Sequence, residues 1–395
     1  MSPAHTCPSG NDPPSLPLMA FAVGVSAANP FYAQSLLPSV ERGFHLQQGT
    51  VLMGPTLIQL GMALGYLWLL PLGDACERRR LLCLLALGMA MASTAAVIAP
   101  SFAWLLAAWF ALGLVALIPA LLPPFLTALT PEANQGRMLG IVLSGQFTGL
   151  LLSRSVSGVV AQLWGWRAIY GIAAMTMLGV AFLLRSALPI STPSTEQSYG
   201  QLVASQLALW RRHSRLRSSC LSQALLFGSF MALWSAVALH LAEPPWHFGP
   251  GLIGSFGLVG LASILAAPTI GRQVDLRGPD RIVLAGVICA GAGVLLLRSL
   301  PMALPAMVMG LMAVDLGVQG GFVAYQARIY AIDPQARSRM SGQLFLSAYL
   351  GAAVSSAVTS ANWNGWGWNG TCGFALLLVA LALLIEHSSW GPYRS

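Results

Sequence analysis

Residues 72–80 read LGDACERRR and residues 271–278 read GRQVDLRG, and each stretch follows a long apolar run. In both stretches an aspartate, Asp74 or Asp275, lies beside arginines. The two aspartates are 201 positions apart (275 − 74). A charged loop that recurs at this distance predicts an internal duplication, because many membrane proteins are built from two repeats.

Two further pairs of landmarks recur at nearly the same offset. The pairs are PEANQGRM at 131–138 with PQARSRM at 334–340, in which Arg137 and Arg339 are 202 positions apart (339 − 137), and Gly165-Trp166 with Gly365-Trp366, which are 200 apart. Three matched landmarks predict two homologous halves in parallel orientation. We place the N-terminal half at 1–189, a cytoplasmic linker at 190–217 and the C-terminal half at 218–395.

The composition predicts a chain that lies in a lipid bilayer. Of its 395 residues 56% are hydrophobic and 8% are charged, whereas a soluble domain carries roughly 25% charged residues. A helix that crosses about 30 Å of hydrocarbon needs roughly 20 apolar residues. Twelve stretches meet this length: 16–37, 51–72, 81–99, 103–126, 139–163, 168–188, 221–241, 252–270, 282–300, 303–329, 342–361 and 367–385. The predicted fold class is therefore an all-α membrane protein with about 12 transmembrane helices in two pseudo-symmetric six-helix halves.

The arginines predict the orientation, because short cytoplasmic loops are rich in basic residues. All 20 basic residues are arginines. With both termini in the cytoplasm, 16 of the 20 lie on the cytoplasmic side: Arg78, Arg79, Arg80, Arg137, Arg185, Arg211, Arg212, Arg215, Arg217, Arg272, Arg277, Arg281, Arg328, Arg337, Arg339 and Arg394. The tryptophans predicted to form a belt at the outer interface are Trp104, Trp164, Trp166, Trp246, Trp363, Trp366 and Trp368.

The segments outside the spans give weaker signals. Residues 1–15 are polar and rich in proline, so we expect a short disordered tail and no cleavable signal peptide. Residues 199–215 can form an amphipathic helix on the membrane surface, with arginines toward anionic lipid, or an ordinary solvated linker.

Several function classes find no support in the sequence. Arginines scattered over short loops do not predict a nucleic-acid partner. The six cysteines show no CxxC spacing and the six histidines no paired-ligand spacing, so neither a metal site nor a cofactor is predicted. No catalytic residue is predicted, and the absence of a Gly-Lys-Ser/Thr loop excludes ATP hydrolysis by this chain. An integral membrane enzyme or a sensor is the alternative from a different class.

The landmarks resemble the major facilitator superfamily over nearly the whole chain. The signature of that family after its second span is Gly-x3-Asp-Arg-x-Gly-Arg-Arg. The first copy keeps Asp74, Arg78 and Arg79 but has Leu70, Ala75 and Glu77 at other signature positions, and the second copy keeps Gly271, Asp275, Arg277 and Gly278. A carboxylate at a helix end beside arginines can form charge-assisted bonds to the other half. We therefore predict a cytoplasmic gate of Asp74, Arg78, Arg79, Arg137, Asp275, Arg277 and Arg339; the alternative is that the aspartates only cap helices.

More specifically, the chain resembles the bacterial drug and sugar efflux branch of the superfamily. The stretches that carry this resemblance are 29–38, 71–74, 149–158 and 315–319. Antiporters of that branch usually have a Gly-Pro-Gly motif in the fifth span; Gly145, Gly149 and Gly158 are present here, but the proline is missing and Arg154 lies nearby. The resemblance implies a multi-pass protein of the bacterial inner membrane that can work as a monomer.

Two ionisable residues, Arg154 and Asp315, lie well inside predicted spans. A charge at the bilayer centre costs roughly 2.5–3.5 kcal/mol even on the mild insertion scale, so such residues usually face a cavity or a partner. In the family's fold the first, fourth, seventh and tenth spans line the central cavity, which implies that Asp315 faces the pathway. We predict that Asp315 couples transport to protons, with Arg154 as its neighbour across the halves. A static ion pair, or an arginine bonded to backbone carbonyls, is the alternative.

The polar residues of the predicted cavity helices are candidates for substrate contact: Asn29, Tyr32, Gln34, Gln223, Trp234, Gln319, Tyr325 and Gln326. Asp315, Gln319 and Gln326 share one stripe of the tenth span. The alternative for each is a hydrogen bond between helices. Together these features predict a secondary transporter that exports a small organic solute by proton antiport. Proton-coupled import and uniport use the same parts and stay open.

Overall fold

Twelve consecutive helical spans make up the fold. A computed structural model of the chain describes residues 15–47, 49–191, 199–333 and 336–389. The predicted tail at 1–14, the linker residues 192–198, Pro334, Gln335 and Arg394 lie outside these ranges. The spans are α1 (Leu16–Phe31 and Ala33–Gly43), α2 (Thr50–Ala75), α3 (Arg78–Val97), α4 (Phe102–Leu129), α5 (Glu132–Trp164), α6 (Trp166–Ala187), α7 (Ser214–Ala242), α8 (Pro250–Arg277), α9 (Pro279–Ser299), α10 (Leu304–Tyr330), α11 (337–366) and α12 (368–389).

The number of spans depends on two interrupted helices. Within the described ranges ten continuous helices are long and apolar enough to cross a membrane, and α1 adds a pair of segments bent by 41°. The last of the ten, Arg339–Ser388, has 50 residues. At 1.5 Å per residue it would be about 75 Å long, more than twice the thickness of the hydrocarbon. Gly367, with φ 53° and ψ −154°, breaks it into α11 and α12. The predicted all-α fold of about 12 spans is confirmed.

Proline sets the shape of α4. The helix is interrupted at Ala116 and Leu117, two residues before Pro119. Because proline has no N–H, it cannot donate to the carbonyl of Val115. The N–H of Leu117 donates to that oxygen instead, at 2.8 Å. The helix therefore changes direction here without leaving the carbonyl unbonded.

The helices pack in a pattern that repeats between the halves. In the first half α1 packs on α5 and α3 on α6; in the second, α7 packs on α11 and α9 on α12. Across the halves α2 packs on α11 and α5 on α8. Exchanging each helix for its counterpart in the other half, α5 for α11 and α8 for α2, turns one cross pair into the other, as a two-fold relation requires. The two halves thus meet along two seams, α2–α11 and α5–α8.

The α5–α8 seam is closed on one side of the membrane. We name the side that holds Leu16 and Ser389 the terminal side and the other the far side. Toward the far side, Gly158 of α5 lies against the Pro250 carbonyl of α8, so closely that a Cβ would overlap it. At the terminal side a Cβ on Gly140 of α5 or Gly271 of α8 would have no heavy atom within 4 Å. The α5–α8 seam is therefore tight at the far side and open at the terminal side.

Only some of the tryptophans in the predicted interfacial belt are exposed. Trp104, Trp164 and Trp366 are exposed, as residues at a lipid interface should be. In contrast, three members of the predicted belt are buried: Trp166, Trp363 and Trp368. They are buried because each packs on a neighbouring element: Trp166 beside Phe44, Trp363 against Gly49, and Trp368 on the His240 ring. Trp246 is half-buried.

The predicted amphipathic linker segment forms a helix, Tyr199–Arg212. The Tyr199 hydroxyl donates to the Trp68 carbonyl of α2, and Gln343 of α11 donates to the Gln206 carbonyl. The linker helix thus joins the terminal ends of the α2–α11 seam. Contact of its exposed Arg211 and Arg212 with anionic lipid stays a prediction.

Candidate substrate and coupling site between the halves

Arg154 occupies the contact between the two halves. It is 6% exposed, and its Nε donates to Gln34 Oε1 of α1 at 2.5 Å. Its guanidinium carbon lies 4.1 Å from the ring centre of Trp234 on α7. Gly257 of α8 makes room for the side chain, since a Cβ there would be 2.9 Å from the Arg154 Cβ. Arg154 therefore contacts both halves, and stacking on an aromatic face stabilises a guanidinium with little competition from water.

Asp315 of α10 is the second buried charge of the site. It is 4% exposed, and the Ser263 hydroxyl of α8 lies beside its carboxylate. One of its oxygens is 3.5 Å from where a Cβ of Gly260 would lie. The static ion pair with Arg154, which was the alternative to a coupling role, does not form in this conformation: among the described residues Asp315 has no ion pair within 4 Å. Gln34 and Trp234 hold the guanidinium instead, although Arg154 remains the nearest opposite charge that acts on Asp315.

Amide side chains complete the polar layer around Arg154. The Nε2 atoms of Gln34 and Gln59 lie 3.6 and 3.4 Å from the Met231 sulfur of α7. Sequence reasoning missed Gln59 and Met231, although Gln59 is the only amide side chain in the apolar run of α2. Two buried polar atoms of this layer have no hydrogen-bond partner in the described part of the chain, Gln59 Oε1 and Trp234 Nε1. Asn29 Oδ1 and both amide atoms of Gln223 also have none, but Gln223 is 11 residues from Trp234 along α7. Burial of an unsatisfied polar group is unfavourable, so the layer favours a polar ligand.

Aromatic rings continue from this layer toward the terminal side. Trp234 packs on Phe230 at 6.0 Å between ring centres, and Phe230 on Phe227 at 5.7 Å. The rings that follow are Tyr349, Tyr66, Phe345 and Phe322, at centre distances of 4.9 to 6.2 Å. Phe227 joins them through Tyr349 at 5.8 Å. We call this series the aromatic track; it comes from α2, α7, α10 and α11, and so from both halves.

The predicted cavity residues fall into three groups. Gln34 and Trp234 contact Arg154 directly. Asn29, Tyr32 and Gln223 are buried, and Asn29 donates to the Val25 carbonyl at the bend of α1. Gln319 and Gln326 are half-buried on α10. A role for these residues in substrate binding stays a prediction.

Tyr325 does not face the site, which corrects the sequence-based expectation. Its hydroxyl pairs with Ser222 of α7 at 2.5 Å and donates to Glu386 of α12 at 3.2 Å. Ten residues from Asp315, it is turned by about 80° from the stripe of Asp315 when each residue turns the helix by 100°. Tyr325 therefore belongs to a contact inside the second half.

Sequence reasoning also missed the ion network around Tyr325. Arg328 is paired with Glu386 at 2.8 Å and with Asp280 of α9 at 2.8 Å. Asp280 is also paired with Arg215 of α7 at 2.6 Å. The sequence does contain one indication of this network, because Glu386 is the only carboxylate in the apolar α12. The network ties the terminal ends of four helices of the second half together.

In the described ranges, the ion pair found for the predicted gate residues lies within the first half. Asp74 pairs with Arg78 of its own half at 3.1 Å, and Arg79 donates to the Leu188 carbonyl, also of its own half. Arg137, Asp275, Arg277 and Arg339 have no ion pair within 4 Å in the described ranges. Ion pairs of these four residues with the opposite half would require their helix ends to approach it. The gate stays a prediction about a second conformation.

Comparisons with known proteins agree with this architecture. A model of the Major Facilitator Superfamily matches residues 19–243. The uncharacterized transporter YgaY of Escherichia coli O157:H7 is 32% identical over 373 residues, which are 94% of this chain and 95% of that protein. A chloramphenicol efflux pump of Mycobacterium tuberculosis is 26% identical over 227 residues, 56% of this chain and 53% of the pump.

A solved structure shares the fold. A bacterial homolog of the human lysosomal transporter Spinster, in an inward-facing and unoccupied conformation, superposes with a TM-score of 0.72 at 15% identity. The match covers 94% of this chain and 95% of that one. At this identity the likeness concerns the fold alone.

Proposed function

This chain belongs to the major facilitator superfamily, and from that premise we propose that it exports a small organic solute in exchange for protons. The chain is a membrane transporter and not an enzyme. Two packed halves with one polar site between them suit alternating access, in which the halves rock about a fixed site. Proton coupling, the more specific part of this proposal, is supported by the buried charges of the site.

The carboxylate of Asp315 is the observation that carries the proposal. It is buried at the interface of the halves, has no ion pair within 4 Å in the described chain, and lies in the field of Arg154. Such a group can hold a proton in one conformation and compensate a positive charge in another. A protonated carboxyl group cannot compensate a positive charge. Binding of a proton and binding of a substrate that needs the ionised carboxylate therefore exclude each other, and the two would exchange.

The direction of transport and the orientation are part of the same proposal. The similarity to a chloramphenicol efflux pump supports export. The many arginines on the terminal side support a cytoplasmic location of both termini, in a bacterial inner membrane. With this orientation the open terminal end of the α5–α8 seam would admit a solute from the cytoplasm. One chain holds a complete site, so we propose that a monomer suffices.

Reconstitution tests this function directly. Purified protein in liposomes that enclose a pH-sensitive dye is screened with pools of small organic compounds for proton movement that depends on the compound. Asp315→Asn is measured alongside, with Arg185→Gln, an exposed arginine at the end of α6, as the control. We expect proton flux in the wild type and the control and its loss in Asp315→Asn. Transport without proton flux, or an unimpaired Asp315→Asn, would reject proton coupling at this residue.

A further inference from the structure

We propose that the site between the halves binds a zwitterion: an anionic group at Arg154, an ammonium group at Asp315, and an apolar or aromatic body along the aromatic track. The inference rests on the proposed function only in taking this site as the substrate site. It adds the chemical class of the substrate, which neither the fold nor the family determines.

Arg154 offers an unused edge for an anion. Its Nε is bound to Gln34, and the face of its guanidinium is stacked on Trp234. Among the described residues no acceptor bonds its two terminal nitrogens, and no carboxylate lies within 4 Å. A guanidinium held in this way can donate two parallel hydrogen bonds to one carboxylate or similar anion.

Asp315 offers the opposite charge from the other half. The stem of Arg154 packs at Gly257 of α8, and the Asp315 carboxylate lies beside Gly260. These glycines are three residues apart in the 3-10 segment Phe256–Gly260, a rise of roughly 6 Å. The Asp315 carboxylate thus lies about one turn of α8 from the stem of Arg154, a spacing that one small molecule can bridge, and no ion pair within 4 Å joins the two residues in the described chain.

Charge balance selects a zwitterion over singly charged ligands. A buried charge without a partner is strongly unfavourable. A monocation would compensate the charge of Asp315 but leave an excess of positive charge at Arg154. A monoanion would compensate the charge of Arg154 but leave an excess of negative charge at Asp315. A zwitterion compensates both residues and brings no net charge into the site. Its ammonium group and a proton would also compete for one carboxylate, which agrees with exchange.

The aromatic track indicates the rest of the ligand. It begins at Trp234, which contacts Arg154, and continues through Phe230 and Phe227. Its outer rings, among them Tyr349 and Phe345, are half-buried, so their faces are partly free. Offset and edge-on stacking on such rings stabilises an aromatic group beyond the effect of its buried area. A zwitterion with an aromatic body therefore fits both parts of the site.

The test compares matched ligands that differ only in charge. The zwitterions are phenylalanine, tryptophan and a γ-amino acid that bears a phenyl ring; their methyl esters are cations and their N-acetyl derivatives anions. Binding to the purified protein is measured by calorimetry at neutral pH, without a proton gradient. We expect at least one zwitterion to bind at least about tenfold more tightly than both of its derivatives, because each charge-assisted bond contributes about 1.5–3 kcal/mol.

Variants assign each charge to its residue. Arg154→Gln should remove the advantage of the zwitterion over its methyl ester, and Asp315→Asn the advantage over the N-acetyl anion. Arg154→Lys keeps the charge and should keep part of the preference, so the assignment remains testable if Arg154→Gln does not fold. Arg185→Gln is the control, since it removes an exposed arginine far from the site.

Each outcome decides the proposal. If no zwitterion binds, or if an ester or an N-acetyl derivative binds as tightly as its parent, the zwitterion site is rejected. Proton-coupled export would then still stand, provided that pooled compounds move protons through Asp315. Zwitterion binding without any proton movement would support the substrate class and reject the coupling.

Discussion

At the scale of single residues, Arg154 and Asp315 are the two charges that the fold buries where its halves meet. Neither is neutralised by the other, because Gln34 and Trp234 fix the guanidinium on one side and Gly260 and Ser263 surround the carboxylate on the other. The ion pairs Arg328–Glu386 and Arg328–Asp280 show the contrasting case. Paired charges of that kind hold helices together, whereas the two charges at the interface stay available for a ligand.

The variant Tyr325→Phe tests whether Tyr325 contributes to the stability of the fold and not to substrate binding. Removal of the hydroxyl deletes its bonds to Ser222 and Glu386. We expect a loss of about 1 kcal/mol in the free energy of unfolding, since a net intramolecular hydrogen bond contributes about that much. Substrate affinity should not change. Thermal unfolding in detergent and ligand binding by calorimetry measure the two effects; a large loss of affinity with an unchanged unfolding midpoint would return Tyr325 to the binding site.

The position of a buried charge could be predicted from the sequence where the residue lay alone within one apolar stretch. Arg154 and Asp315 are the only ionisable residues well inside predicted spans, and both lie at the interface of the halves. The direction of Tyr325 and the partner of Arg328 could not be predicted in the same way. Glu386 is 58 positions beyond Arg328 on another helix, and only the packing of α10 on α12 brings the two together.

At the scale of helices, glycine sets how closely neighbours approach. A Cβ on Gly149 of α5 would overlap the Gly24 carbonyl of α1, and one on Gly351 of α11 would overlap the Ala224 carbonyl of α7. The same close contact therefore occurs in both halves. Small residues at helix crossings take the place of the hydrophobic effect, which lipid does not provide between helices.

Gly149→Ala should destabilise the protein by about 1–3 kcal/mol, the usual cost of overpacking a tight contact. Gly179→Ala on α6 is the matched control, because a Cβ there would have no heavy atom within 4 Å; helix propensity predicts a gain of up to about 1 kcal/mol. Thermal unfolding of both variants beside the wild type measures the difference. Equal effects at the two positions would show that the α1–α5 contact is looser than described.

At the scale of the whole molecule, the two seams decide what can move. The α5–α8 seam is tight at the far side, where Gly251 lies against the Gln162 side chain, and open at the terminal side. The twelve long apolar stretches and the duplication in the sequence were sufficient to predict about twelve spans in two halves. They could not predict which side is closed, because the sequence is the same in every conformation.

A cross-link at the far side should trap this conformation. Cysteines at 162 and 251, in a chain without its six native cysteines, lie within reach of each other here. We expect an oxidant to join them and to stop transport, and a reductant to restore it. Gln162→Cys alone is the control, which the oxidant should leave active. Full transport by the cross-linked protein would contradict rocking of the halves about this seam.

The central claim is that Asp315 couples solute movement to protons, and one pair of transport measurements tests it most directly. With a compound found in the dye screen, wild type and Asp315→Asn are compared in proton-driven uphill transport and in exchange of labelled for unlabelled compound at equal pH. We predict that Asp315→Asn loses the uphill transport and keeps measurable exchange, because the path remains while the proton site is gone. Uphill transport by Asp315→Asn at the wild-type rate would contradict the account.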